Sequence, residues 1–295
     1  MRRPIVVSIV SLASFVSAIA AADAPPKPAT AVPTRAVPCA PSNSELLAHD
    51  DDPVLCWANG CMALGLLDRT AALIKPKPAP QARWLTPLGQ VRVEGGKPSV
   101  CVGTTCKPIG KQLAAAVEAA RKDATPESPV TIEGTTDFKA VIVGDTPWSV
   151  AADKELKLKP PAKGLQAAGA SVAGALIVAN FTDCAGPCTQ AQVFDSAGAA
   201  KSKVFAGAFP AIQVDAKRFA VLDEYGNLRV FAVGTGASMA STDTGGSEPD
   251  GAYVRIGASL AVLRKNMQGI TIAQVAFDGP TPYKSSEMFL PACAE

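Results

Sequence analysis

A pattern of short strand-like segments repeats along this chain with a period of about 40 residues, a length typical of repeat proteins. Six aliphatic segments end close to a turn, with their last or near-last residues at positions 58, 103, 144, 179, 223 and 264. The differences between successive positions are 45, 41, 35, 44 and 41. A second apolar series, anchored at positions 93, 132, 172, 214, 256 and 290, has successive differences of 39, 40, 42, 42 and 34. Two series with one period indicate a repeat architecture.

The fourth unit shows most clearly what one repeat contains. Its segments ALIVANF, QAQVFDS, KSKVFAGA and FPAIQVDA have the length and composition of strands, and turn residues separate them. Four strands per unit, in six successive units, predict an all-β fold with a single six-bladed β-propeller. The chain resembles six-bladed propellers as an architecture over about residues 50–291, without the motif of a named family. A β-sandwich array or another all-β solenoid is the alternative.

One segment interrupts the strand pattern in the second unit, where middle strands are expected. Residues 110–128, with the sequence GKQLAAAVEAARKDATPES, place Leu113, Val117 and Ala120 on one face of a helix. The helix is expected to end before Pro126. We interpret it as a short helix that covers an incomplete second blade. A docking helix for a partner is the alternative.

Residues 1–38 have the composition of an export signal followed by a tether. Arg2 and Arg3 precede an apolar stretch from Ile5 to Val16, and small residues around Ala22 suit signal cleavage. Residues 1–22 are therefore predicted to be a signal peptide. Residues 23–38 are rich in proline and alanine, which predicts an extended linker. The propeller domain is expected to occupy residues 39–295, and the protein to be secreted or periplasmic.

The charge balance argues against nucleic acid as a partner. Removal of residues 1–22 leaves 26 basic and 26 acidic side chains, and no long basic segment provides a local exception. Beyond the signal segment, no apolar run is long enough to anchor the chain in a membrane. The expected partner is an unknown protein or small-molecule ligand, and the oligomeric state is not determined by the sequence.

Two copies of one cysteine motif occur, in the first and second units. Cys56 and Cys61 flank four residues, and Cys101 and Cys106 do the same. Asn59-Gly60 within the first pair indicates a tight hairpin, which places the two cysteines opposite each other at a distance suited to a disulfide. An even number of cysteines in an exported chain also favours disulfides. We therefore predict 56–61 and 101–106 pairs that hold hairpin tips in shape.

The other four cysteines suggest two more disulfides. Cys184 and Cys188 flank a slightly tighter loop in the fourth unit. Cys39 and Cys293 lie at the two ends of the folded region, where a bond between them would fix the last blade against the first. The predicted pairs are thus 184–188 and 39–293, although eight cysteines permit 105 pairings.

Two observations bear on whether these cysteines are structural. In the third unit, Val143 and Trp148 have the same spacing as Cys56 and Cys61, so an apolar contact is expected to replace the disulfide there. The alternative is a zinc site with four thiolates from the first two units. The predicted compartment and hairpin geometry favour disulfides.

The sequence contains few groups for catalysis. His49, the single histidine, is not placed near a serine or cysteine nucleophile by any motif. Asp145, Asn180 and Asp223 follow or end strand-like segments, and at one end of a propeller channel they could hold a cation such as Ca²⁺. Six-bladed lactonases and phosphotriesterases resemble this plan, with a few carboxylates and an Asn on one metal. Turn aspartates, however, often serve only local backbone bonding.

The leading hypothesis is therefore an exported, disulfide-stabilised β-propeller that acts as a non-catalytic ligand-binding, protein-binding or scaffold domain without a cofactor. One alternative is a metal-dependent hydrolase, similar to a lactonase or esterase, with its site in the channel. The other is a structural envelope or surface protein.

Overall fold

The computed structural model describes residues 39–293, apart from residues 42, 50, 75–84, 86–87, 95–96, 126–129, 184–188, 209, 224 and 245–248. The predicted signal peptide and linker lie outside these described residues, so those predictions stand untested. Within the described ranges, no helix is long and apolar enough to cross a membrane.

The strands form six antiparallel sheets, each built from consecutive strands, so each sheet is one blade. Blades one and three have four strands, and blade two has three strands followed by a helix. The elements of these blades are β1 (Glu45–His49), β2 (Asp52–Trp57), β3 (Gly60–Gly65), β4 (Thr70–Ile74); β5 (Gln90–Glu94), β6 (Lys97–Val102), β7 (Thr105–Pro108), α1 (Lys111–Asp123); β8 (Ile132–Gly134), β9 (Ala140–Val143), β10 (Thr146–Ser149), β11 (Lys154–Glu155).

The last three blades have four strands each, in chain order from one edge to the other. Their elements are β12 (Gln166–Ala173), β13 (Leu176–Thr182), β14 (Gln190–Asp195), β15 (Phe205–Ala206); β16 (Ile212–Gln213), β17 (Arg218–Leu222), β18 (Asn227–Ala232), β19 (Ser238–Asp243); β20 (Pro249–Ile256), β21 (Ser259–Asn266), β22 (Gly269–Ala276), β23 (Tyr283–Pro291).

Apolar clusters between neighbouring sheets arrange the blades as a propeller. Separate clusters join blades two and three, three and four, four and five, five and six, and six and one. The alternation along β13 shows the reason: Ile177 packs towards blade three, whereas Val178 packs towards blade five. β13 therefore buries both faces, and full burial of one such side chain contributes about 1.5–3 kcal/mol. The predicted six-bladed fold is confirmed.

The two ends of the domain meet at blade six. Cys39 is joined to Cys293 by a disulfide, and the backbone nitrogen of Ala40 donates a hydrogen bond of 2.8 Å to the carbonyl of Pro291. The first described residues thus extend the outer edge of β23, while β1 starts blade one. This arrangement ties the beginning of the chain to the last blade.

The blade boundaries differ from the predicted units by one strand. The segments taken as first strands are the second strands β2, β6, β9, β13, β17 and β21. Contacts between β1 and β20 and between β5 and β8 show that the first strand of each blade is innermost. The first five members of the second series belong to such strands, whereas β1 was not in that series. The last member of that series, Met288–Leu290, is instead part of the outermost strand β23. Local sequence reveals the period but not which strand approaches the axis.

The hairpin disulfides occupy the second and third strands of their blades. Cys56 is opposite Cys61 in β2 and β3, and Cys101 is opposite Cys106 in β6 and β7, and both pairs are bonded. The predicted 184–188 pair lies outside the described residues.

The proposed apolar substitute for the disulfide in blade three was placed incorrectly. Val143 pairs with Thr146, and Trp148 pairs with Val141, so Val143 and Trp148 do not face each other. The β9–β10 turn has two residues, which makes Ile142 and Pro147 the equivalent of the cysteine pair. The position is still apolar.

The predicted helix is present as α1, with Leu113 and Val117 buried and Ala120 packed against the same cluster. It follows the third strand of blade two and does not replace the middle strands as predicted. The helix covers Val91, Val100 and neighbouring residues that would otherwise contact solvent at an incomplete sheet.

Candidate functional site

A cleft of about 710 Å³ lies between the third and fourth blades. We call it the 3–4 cleft. Part of its apolar surface comes from blade four, where Ala170 of β12 and Ala179 and Phe181 of β13 face blade three. Blade three contributes the β9–β10 turn and residues 155–160. Its volume is within the range of ligand-binding pockets.

A β-bulge in β12 shapes one side of this cleft. Ala167 pairs with Phe181 and Gly169 pairs with Asn180, so Ala168 has no cross-strand partner. Ala167 and Ala168 are exposed, and their methyl groups leave the space beside the strand open. A Cβ atom at Gly169 would lie 3.4 Å from Oδ1 of Asp145, so the third blade approaches this backbone closely.

Residues 156–160, with the sequence LKLKP, form the opposite side of the cleft. The last strand of blade three ends at Glu155. The backbone nitrogen of Leu156 still donates a 2.8 Å hydrogen bond to the carbonyl of Pro147 in β10, and residues 157–160 are not part of a strand. Partly buried and exposed side chains alternate along this segment: Leu156 and Leu158 pack against blade four, and Lys157 and Lys159 are exposed. This segment therefore buries one side against blade four and exposes the other to the cleft and to solvent.

Four charged side chains of both signs line the cleft. They are Asp145, Glu155, Lys157 and Lys159. All four are exposed, and their side chains form no ion pair or hydrogen bond with the part of the chain that the structure describes. The cleft therefore combines an apolar floor with charges that are available to a bound molecule.

The structure does not bring the three metal-ligand candidates together. Asp145 lies in the β9–β10 turn and lines the 3–4 cleft. Asn180 is buried on the other side of β13, where its Nδ2 donates a hydrogen bond of 3.3 Å to the carbonyl of Ala208. Neighbouring residues of a strand point to opposite faces, so Ala179 and Phe181 face the cleft and Asn180 does not.

Asp223 has a local role in the turn between β17 and β18. Its Oδ1 accepts hydrogen bonds from the backbone nitrogens of Tyr225 (2.9 Å) and Asn227 (2.7 Å). Its Oδ2 accepts a 3.0 Å bond from Nδ2 of Asn227. Asp223 is almost fully buried, and these hydrogen bonds satisfy the acceptor oxygens of its carboxylate.

The hypothesis of a metal in the channel placed Asp145, Asn180 and Asp223, as strand-end or turn residues, at one end of the propeller channel. Asp145 and Asp223 follow second strands, β9 and β17, and so do not end the strands nearest the axis. Within the described ranges, no three His, Cys, Asp or Glu residues gather as a metal site.

Comparisons with known proteins add little to this description. No protein-family model and no curated protein sequence matches the chain. Among solved structures, BamB from Moraxella catarrhalis is 13% identical with a TM-score of 0.34, over 79% of this chain and 59% of that chain. The C-terminal WD40 domain of Sif2 is 11% identical with a TM-score of 0.35, over 85% and 86% of the two chains. Likenesses at this level do not bear on function.

Proposed function

We propose that this chain is an exported, non-catalytic binding domain, and that the 3–4 cleft holds an extended segment of a partner protein. The observation that carries the proposal is the cleft itself, with its apolar floor between two blades and four charged side chains that lack partners within the described chain. Small side chains along the bulged strand keep the cleft open for such a segment.

The arrangement of charges favours a peptide over a small charged ligand. A single ionic group is recognised by converging charges of the opposite sign, whereas here Asp145 and Glu155 line the same cleft as Lys157 and Lys159. A peptide can present side chains of both signs, together with apolar groups that contact Phe181. Ligand pockets of this kind combine an apolar lining with a few polar groups that fix orientation.

Export is the second part of the proposal, and the disulfides support it. Disulfides such as Cys39–Cys293 persist in secreted and periplasmic proteins and are rare in reducing compartments. We expect cleavage after Ala22, which gives a mature chain that begins at Asp23. Intact-mass measurement of the protein recovered outside the cytoplasm tests this, and a chain that retains residues 1–22 there would contradict it.

A peptide selection tests the binding site directly. Peptides from a random displayed library are selected on the mature protein, and their affinity is measured by fluorescence anisotropy. The variant Ala168→Trp places a large side chain at the bulge, so it should weaken binding by about tenfold or more. Ala58→Trp is the matched control, because Ala58 is an exposed residue in a hairpin turn of blade one.

Two results would count against this site. Equal binding to wild type and Ala168→Trp would place the peptide elsewhere. Failure to enrich any peptide would favour the alternative of a structural envelope or surface protein.

We further propose that the domain needs no metal. Calcium usually takes six to eight oxygen ligands. The observations that support this proposal are that Asp145 lines the 3–4 cleft, Asn180 is bonded to Ala208 on the other face of β13, and Asp223 is bonded within its own turn. Added Ca²⁺ should therefore leave the melting temperature unchanged. A saturable rise would instead favour the metal-dependent hydrolase.

A further inference from the structure

A second cleft, of about 370 Å³, lies between the fourth and fifth blades. We call it the 4–5 cleft. Blade four contributes an irregular segment before and within β15, and blade five contributes β18 and the turn that leads to β19. The lining residues that matter here are Lys201, Ser202, Lys203, Phe205, Arg229 and Ser238.

The lining of the 4–5 cleft is positively charged. It contains three cationic side chains, and none of its described lining residues carries a carboxylate. Lys201 is compensated by Asp195, whose Oδ2 lies 3.2 Å from the lysine Nζ. The side chains of Lys203 and Arg229 make no ion pair or hydrogen bond in the described structure. Two positive charges in this cleft are therefore uncompensated by the described residues.

The position of Arg229 follows from the alternation of β18. Leu228 and Val230 pack towards blade six, so Arg229 and Phe231 face blade four. The cross-strand neighbours of Arg229 are Val221 on one side and Ser241 on the other, and neither is an acid. The guanidinium is thus directed into the cleft by a regular strand.

Arg229 is also only partly hydrated. Its side chain is half-buried, and its Nε is withdrawn from solvent without a hydrogen-bond acceptor among the described residues. A buried donor without a partner is costly, and so is a charge removed from water without a counter-charge. An anion at the exposed edge of this guanidinium would supply the missing counter-charge.

Hydroxyl donors and an apolar wall complete the cleft. Oγ of Ser202 accepts a 2.9 Å hydrogen bond from the backbone nitrogen of Val193, which leaves its hydroxyl proton available for donation. Ser238 provides a second hydroxyl. Val204, which is exposed, and Phe205 form an apolar wall beside the charges.

We propose that the 4–5 cleft binds the phosphate group of a phosphate monoester. The planar guanidinium of Arg229 can bind two oxygens at once, and Lys203 adds a second positive charge. The serine hydroxyls donate to the remaining oxygens. The adjacent apolar wall contacts the organic part of the ester, which distinguishes such a ligand from free inorganic phosphate.

Calorimetric titration of the mature protein at constant ionic strength tests the site. The two probes are inorganic phosphate and phenyl phosphate. Saturable binding of phenyl phosphate, tighter than that of inorganic phosphate, is expected because only the ester contacts the apolar wall. Arg229→Gln should weaken binding by about tenfold or more. Lys163→Gln, a change at an exposed lysine outside the cleft, should have no effect.

Lys203→Gln is a second, independent variant for the same titration. It should weaken binding of phenyl phosphate several-fold, and it tests the proposal if Arg229→Gln does not fold. Equal affinities in the wild type, Lys203→Gln and Lys163→Gln would overturn the proposal, as would the absence of saturable binding by either probe. Equal affinity for the two probes would reject the ester and leave a site for free phosphate only. None of these results depends on the 3–4 cleft.

Discussion

The carboxylate of Asp153 in blade three lies 2.9 Å from the backbone nitrogen of Leu113 in the helix of blade two. Its other oxygen accepts a 3.0 Å hydrogen bond from the backbone nitrogen of Gln112. The N-cap residue of α1 is Gly110, which has no side chain for this purpose, and a Cβ atom there would overlap Asp153. The cap is therefore supplied by a residue of the next blade, far along the chain, and it joins two blades.

Replacing Asp153 should loosen the start of α1. In Asp153→Ala, the first-turn amides of Gln112 and Leu113 lose their acceptor, so their hydrogen exchange should accelerate and the melting temperature should fall. Lys154→Ala, at an exposed neighbouring residue, is the control. Unchanged exchange at these two amides in Asp153→Ala would show that the cap is not needed.

The same contact predicts a dependence on pH. Hydrogen bonds from Leu113 and Gln112 lower the pKa of Asp153 below its usual value. A group with a lowered pKa in the folded state stabilises the protein above its unfolded pKa, and this stabilisation is lost as the pH falls. Wild type should therefore be more stable than Asp153→Asn at pH 7, and the difference should shrink below about pH 4. A constant difference across that range would contradict this.

The Cys39–Cys293 disulfide should matter more than either hairpin disulfide. Its cysteines are 254 positions apart, for which chain entropy gives about 5.5 kcal/mol, against about 2 kcal/mol for the short separation of Cys101 and Cys106. Urea unfolding of the two double Cys→Ser variants compares these losses in the free energy of unfolding. Equal losses would show that the terminal bond does not restrict the unfolded chain as expected.

Arg218 links blades five and six at another point. Its Nη1 and Nη2 donate to the carbonyls of Gly279 (2.8 Å) and Phe277 (2.7 Å), and its Nε donates to Asp215 (2.6 Å). Arg218→Ala should lower the free energy of unfolding by about 2–3 kcal/mol, because charged hydrogen bonds are lost from a mostly buried side chain. Lys217→Ala, at the exposed neighbouring residue, should stay within about 0.5 kcal/mol of wild type. Similar values for the two variants would refute the link.

The candidate clefts illustrate how far sequence patterns can identify a site. Asp145 was singled out as a turn acid, and it does line the 3–4 cleft, but the apolar floor around Phe181 was not predicted. Arg229 lies in β18 and was not singled out from the sequence. Its significance depends on which groups of blade four lie opposite it, and no local signal in the sequence reports that.

The sequence by itself determined the features that depend on neighbours along the chain. These are the period of the repeat, the apolar alternation, the helix around Leu113, and the hairpins that place Cys56 opposite Cys61 and Cys101 opposite Cys106. Side-chain periodicity and turn chemistry act between close neighbours in the chain, so they can be interpreted without knowledge of the fold.

Only the tertiary structure decided which strand of each blade is innermost, where two clefts open between blades, and that Asp153 caps a helix of the preceding blade. These features arise from the packing of sheet faces that are distant in sequence. The same series of strands can be divided into blades in several ways, starting from different strands. The close packing of the sheets against each other selects one of these divisions.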